Sequence, residues 1–135
     1  MELKDKLVTQ IEQLEEAVQR LSESIEQPKN EFIRDSVIQR FEFCFEMSWK
    51  VMQSALIFIG KECASPRQCI RLAAQNNFLT NPEKWLEYQD ARNLSSHTYK
   101  EDMADKVYDE ALLFLDDAKQ LCKDIRAYLS QENKN

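Results

Sequence analysis

Arg92 and His97 are the side chains in this sequence best suited to chemistry, and they stand five residues apart. His97 is the only histidine, and Tyr99 follows it by two positions. A histidine moves protons near neutral pH, and a guanidinium offers a planar fork of donors that fits phosphate oxygens. Together they suffice for metal-free cleavage of an RNA phosphodiester. The histidine assists attack of the ribose 2'-hydroxyl, and the arginine stabilises charge building on phosphorus. The segment Thr98-Tyr99-Lys100-Glu101 reads as a capping box, with Thr98 capping a last helix and Tyr99 its first residue. A helix N-terminus favours an anion. The same residues also fit a structural account, in which Arg92 pairs with Asp90 or Glu87 and His97 caps or packs at a turn. Neither Arg92 nor His97 falls on an apolar stripe, so alanine at either is expected to leave the fold nearly intact.

The elements that must position this stretch are helical. Leu3, Leu7, Ile11, Leu14, Val18, Leu21 and Ile25 recur at steps of three and four, predicting a helix from Glu2 to about Glu26. A second helix is expected from about Asn30 to Ile59, with Ile33, Val37, Phe41, Phe45, Met52, Leu56 and Ile59 in one stripe. Gly60, the lone glycine, stands where a C-terminus takes a left-handed residue. Phe43, Met47, Ile57 and Phe58 lie outside that stripe, so this helix is either central in its domain or covered by a second chain. Ser65-Pro66-Arg67-Gln68 and Asn81-Pro82-Glu83 open two short helices, reaching about Gln75 and Leu94. The last helix carries Met103, Val107, Ala111, Phe114, Ala118, Leu121, Ile125 and Leu129, and its polar tail from Ser130 is expected to fray. The fold class is all-α, an up-and-down four-helix bundle with short additional helices.

A chain of 135 residues with one glycine and three prolines suits one domain, residues 1–135, and lacks the turns a β-sandwich needs. Its net charge of -6 leaves no basic footprint for DNA. The charge is uneven, with seven Lys/Arg against five Asp/Glu between Pro28 and Gln75. Cys44, Cys63, Cys69 and Cys122 form no C-x-x-C pair and, with one histidine, no zinc site, so reduced thiols and a cytoplasmic home are expected. Met1 opens into a charged amphipathic segment, not a signal peptide, and no apolar run is long enough to span a membrane. Glu42 and Glu46, one turn apart beside Trp49, can line a pocket; with no third ligand, no metal site is expected there. Asp102, Asp105 and Asp109 suit the first turns of the last helix, and Trp49 and Trp85 are expected as core or interface aromatics.

Two segments carry a family resemblance. Arg92-Asn93-Leu94-Ser95-Ser96-His97-Thr98-Tyr99 fits an R-polar-x(3)-H-x-Y pattern. Arg34-Asp35-Ser36-Val37-Ile38-Gln39-Arg40-Phe41-Glu42-Phe43, followed by Trp49-Lys50, looks like the second-helix signature of the same group. On these residues the chain resembles the HEPN superfamily, in its branch paired with minimal nucleotidyltransferases, the HepT-like nucleotidyltransferase substrate-binding proteins. The likeness runs from about Arg34 to Val107. It implies a homodimer whose two motifs face a shared cleft, and a minimal nucleotidyltransferase as partner. It further implies an RNase toxin of a toxin-antitoxin pair, with Arg92 and His97 catalytic and Asn93 supporting them. The partner would silence it by transferring AMP to Tyr99. RNA and a nucleotide are the ligands this implies, and no cofactor is expected. The alternative is a non-catalytic subunit that binds the nucleotidyltransferase or presents a substrate to it.

Overall fold

The computed structural model describes residues 2–134. Among them are five α-helices, namely α1 (Glu2–Ile25), α2 (Glu31–Phe58), α3 (Pro66–Gln75), α4 (Pro82–Leu94) and α5 (Glu101–Lys134), with a 3-10 turn at Ser95–His97 before the last. The all-α expectation holds. α1, α2 and α5 pack on one another, α4 closes against α5 and α2, and α3 lies against α2 and α4.

The stripes do the burying. Leu7, Ile11, Leu14, Val18 and Leu21 of α1 meet Val37, Phe41, Phe45, Met52 and Leu56 of α2 and the α5 stripe from Val107 to Leu129 in one core. Trp85 and Tyr88 of α4 enter it against Phe114, edge to face at 5.4 and 5.3 Å between ring centroids. Tyr88 is fully buried and its hydroxyl donates to Asp117; burial first, and then that bond, raise its pKa.

The helix ends follow local chemistry. Asn30 Oδ1 accepts from the Ile33 N–H at 2.8 Å and Ser65 Oγ from the Gln68 N–H at 3.3 Å. Gln68 turns its side chain to the Ala64 N–H instead of the Ser65 N–H, which shifts the expected capping box by one residue. α2 ends in a Schellman turn, with Gly60 at φ 84° and the Lys61 N–H on the Leu56 carbonyl at 2.8 Å. Asn77, at φ 66°, ends α3 in the same way.

Three expectations are corrected, and α5 continues as helix past Ser130 to Lys134. Asn81 makes no side-chain cap bond. Thr98 does not cap α5: its Oγ1 donates to the Ser95 carbonyl at 3.3 Å, because α4 runs on into the 3-10 turn, and α5 starts only at Glu101. Cys63 and Cys69 are joined in a disulfide, their Cα atoms 5.1 Å apart across the start of α3. Only Cys44 and Cys122 are the reduced, buried thiols expected of all four, and burial pushes each up to about 12.

Candidate active site

Arg92 lies in the last turn of α4 and points back at α2. Its Nη1 is 3.1 Å from Glu42 Oε2, and its Nε is 3.3 Å from Glu46 Oε1. Both contacts are ion pairs and not hydrogen bonds, and the Nε is screened from solvent without an aligned acceptor. Ser95 completes the setting: its Oγ accepts from Arg92 Nη1 at 3.0 Å and donates to the Arg92 carbonyl at 2.6 Å. Glu46 also accepts from Trp49 Nε1 at 3.0 Å. The cleft candidates Glu42, Glu46 and Trp49 and the motif arginine, apart in sequence, are therefore one cluster. The local alternative fails, since Asp90 pairs with Arg67 at 3.5 Å and Glu87 with Lys84 at 3.1 Å. One helical turn brings Glu42 and Glu46 together on the face of α2 turned to α4.

His97 and Asn93 are both exposed, and Tyr99 is 76% exposed. The His97 and Tyr99 rings stand edge to face, 6.1 Å between centroids. Both side chains are presented from the turn between α4 and α5 and not from a helix N-terminus. Arg92 keeps 29% of its side chain exposed. The arrangement thus holds a guanidinium at a part-open surface and leaves an imidazole exposed at the turn that follows, with the phenol next to the imidazole.

Beyond the cluster, Glu46 lines a groove of about 580 Å³ between α1 and α2, with Ala17, Arg20, Phe43 and Met47 on its walls. Phe43 is 57% exposed. Phe58 is instead used inside the chain, edge to face on Tyr128 at 6.4 Å. Sequence reasoning placed Ser95 and Arg34 in the two motif segments but gave neither a role. A serine three residues after an arginine on a helix carries the signal of a back-bonded hydroxyl, whereas the partners of Arg34 on α5 had none.

Comparison with known proteins adds to this geometry. The family described as nucleotidyltransferase substrate binding protein like matches residues 9–127. A Haemophilus influenzae protein named probable ribonuclease HepT is 32% identical over 94 residues, 66% of this chain; the match spans 64% of that relative, less than two thirds of its length. A crystal structure of a Thermus thermophilus protein superposes with a TM-score of 0.79 at 32% identity, covering 84% of this chain and 98% of the other. A second structure, from Haemophilus influenzae, is described as the fold of a substrate binding domain of a nucleotidyltransferase. It gives a TM-score of 0.65 at 28% identity, covering 90% and 98%.

Proposed function

The chain belongs to the nucleotidyltransferase substrate binding protein like family, and from that premise we propose that it is the RNase toxin of a toxin-antitoxin pair whose antitoxin is a minimal nucleotidyltransferase. The observation that carries this reading is the setting of Arg92. Glu42, Glu46 and Ser95 hold it in place at a part-open surface, while His97 stays open to solvent a turn later. The ribonuclease name of the Haemophilus influenzae relative supports it.

In the reaction, the 2'-oxygen of the RNA bonds to phosphorus as the bond to the 5'-oxygen breaks. His97 serves the proton transfers between the 2'-hydroxyl and the leaving 5'-oxygen. Arg92 stabilises the charge that grows on the phosphoryl oxygens, and Asn93 supports them from the same edge. Glu42 and Glu46 orient the guanidinium. The partner silences the site by transferring AMP from ATP to the Tyr99 hydroxyl, releasing pyrophosphate. Nucleotide on Tyr99, beside His97, puts bulk and negative charge where the RNA phosphate must lie.

The chain acts as one domain and as a two-fold dimer. The Phe43–Met47 groove is flanked by Arg20, Arg40, Glu16 and Glu46, charges of both signs that suit self-pairing. Because Glu46 touches both groove and Arg92, this pairing brings the two sites to a shared cleft. The place of action is the cytoplasm, where RNA and ATP meet. A disulfide is uncommon there, so the state of Cys63 and Cys69 also tests the placement. Among the described residues no helix is long and apolar enough to cross a membrane.

One observation favours the second reading, a binding subunit: two carboxylates offset the charge of Arg92 in a chain of net charge -6. The deciding experiment incubates purified wild type and His97→Ala with single-stranded RNA, with and without EDTA, and follows growth on expression. Cleavage and growth arrest by wild type in both conditions, lost in His97→Ala, are expected. No cleavage and no arrest by wild type, with partner binding lost in His97→Ala, makes the motif an interface.

A further inference from the structure

α2 grips both ends of the turn that carries His97. At the α4 end, Glu42 and Glu46 hold Arg92. At the α5 end the signs reverse, and Arg34 of α2 holds carboxylates. Its Nη1 donates to Glu101 Oε2 at 2.5 Å and its Nη2 to Glu101 Oε1 at 3.4 Å. Asp105 lies 3.5 Å from Nη1, and Asp35 lies 3.3 Å from Nε. Arg34 and Glu42 are eight residues apart, about 12 Å along the helix. That distance spans the two grips.

Arg34 is 6% exposed, and it is the one buried charged residue among the described residues. Its carboxylate partners are all more than half exposed. An ion taken out of water gives back little net stability even when paired, and an apolar residue of similar shape often does as well. What such a group supplies well is geometry, since a planar guanidinium accepts a carboxylate in one orientation. The geometry at stake here is local. Glu101 is the first residue of α5, and only Thr98, Tyr99 and Lys100 separate it from His97. Those residues have few anchors of their own: Thr98 Oγ1 on the Ser95 carbonyl and the Lys100 N–H on the His97 carbonyl, both at 3.3 Å, and the Lys100 carbonyl, which accepts from the Ala104 N–H at 3.0 Å.

We infer that Arg34 is a positioning residue for the site: by fixing Glu101 it fixes where α5 begins, and so where His97 stands relative to Arg92. The catalytic consequence rests on the RNase reading; the structural one does not. Because His97 is the only histidine, its ring Hε1 proton gives one assignable NMR signal that reads the order of the turn without any cleavage.

The experiment compares Arg34→Met, Arg34→Lys, Glu101→Gln and a core control, Ile11→Val, in steady-state RNA cleavage and in the His97 signal. Arg34→Met is expected to lower kcat by up to about a hundredfold, the loss that a misplacement of about 1 Å brings, with KM nearly unchanged. Its His97 signal shifts and broadens, and Arg34→Lys recovers part of both. Glu101→Gln, altered only at the surface, shows the same signs more weakly and carries the test should Arg34→Met fail to fold. Ile11→Val lowers the melting temperature but changes neither readout. Wild-type kcat together with an unmoved His97 signal in Arg34→Met and Glu101→Gln overturns the inference, as does an equal kcat loss in Ile11→Val. If wild type cleaves no RNA while both variants shift the signal, the clamp stands and the RNase reading falls.

Discussion

Truncating Arg92 and truncating His97 should both cost most of the activity but should differ in their cost to stability. The sequence alone predicts almost no stability cost at either, since neither lies on an apolar stripe. The structure separates them. Arg92→Ala removes two part-exposed ion pairs, each about 0.2–1 kcal/mol, and the bond to Ser95. It also leaves Glu42 and Glu46 facing each other four residues apart, a like-charge pair costing about 0.2–0.5 kcal/mol on a helix. With about 0.5–1.5 kcal/mol for the Ser95 bond, the total is about 1–4 kcal/mol. In a chain of 135 residues each kcal/mol moves the melting temperature by about 4 °C, so the expected drop is about 4–16 °C. His97→Ala breaks no hydrogen bond or ion pair of the His97 side chain among the described residues, only its ring contact with Tyr99. As a surface change it should stay within about 0.5 kcal/mol. Both should lose cleavage, about a hundredfold to a thousandfold for the arginine and up to about ten-thousandfold for the histidine. Thermal melts followed by circular dichroism and a quenched-fluorophore RNA substrate read the two quantities. Adding Glu46→Gln to Arg92→Ala should restore part of the melting temperature and none of the rate. An Arg92→Ala protein as stable as wild type, or a double variant less stable than the single one, would refute the claim that α2 holds the guanidinium.

Three further outcomes follow from the geometry. Incubation with the nucleotidyltransferase partner and ATP should add AMP increments to the intact mass of wild type and none to Tyr99→Phe; modification elsewhere rejects Tyr99 as the switch. Iodoacetamide at about pH 8 should leave the native chain unlabelled, because burial holds Cys44 and Cys122 far above their usual range of about 8.5. Unfolding should add two labels and unfolding with reduction four, and four labels without reductant would disprove the Cys63–Cys69 bond. The Arg126 guanidinium, 2.6 and 2.7 Å from the Glu15 oxygens, holds that carboxyl below the usual carboxylate range. A depressed folded value means full stabilisation above the unfolded pKa of about 4.3. It is lost as pH falls through the folded value, so Arg126→Gln should melt lower than wild type at neutral pH and equally in strong acid.

The helices were legible because apolar steps of three and four are read along one chain segment, and the caps at Asn30, Ser65 and Gly60 are local as well. What failed was decided outside the pattern being read, in the neighbouring turn or across the chain. Thr98-Tyr99-Lys100-Glu101 satisfies the capping-box pattern, yet α4 had not finished turning, and Ser95 offered its carbonyl to Thr98 first. Cys63 and Cys69 gave no sign of pairing because a six-residue separation is not a motif; the start of α3 folds back to bring them together. Arg92 was given neighbours on its own helix, Asp90 and Glu87, whereas its partners are on α2. Glu42, Glu46 and Trp49 were found as one group and Arg92 and His97 as another. Only packing of α4 on α2 makes them one site.

The apolar excess of α2 left two explanations standing, a central helix or one covered by a second chain, and the structure assigns different residues to each. α2 packs against α1, α3, α4 and α5, so a central position accounts for most of the excess. Phe58 belongs to that part, closed on Tyr128. Phe43 does not, since more than half of it remains in water beside Met47 and Ala17. That remainder makes the dimer testable at a single position. Phe43→Glu puts a charge on the exposed face while the buried Phe41 and Phe45 on either side keep the helix in the core. The folded chain should then appear as a monomer by light scattering at micromolar concentration, where wild type is expected as a dimer. If the shared cleft forms as proposed, that monomer should also lose cleavage although Arg92, His97 and their partners are all present. A Phe43→Glu protein that stays dimeric moves the interface away from the α1–α2 groove. One that becomes monomeric and still cleaves makes each site complete within one chain.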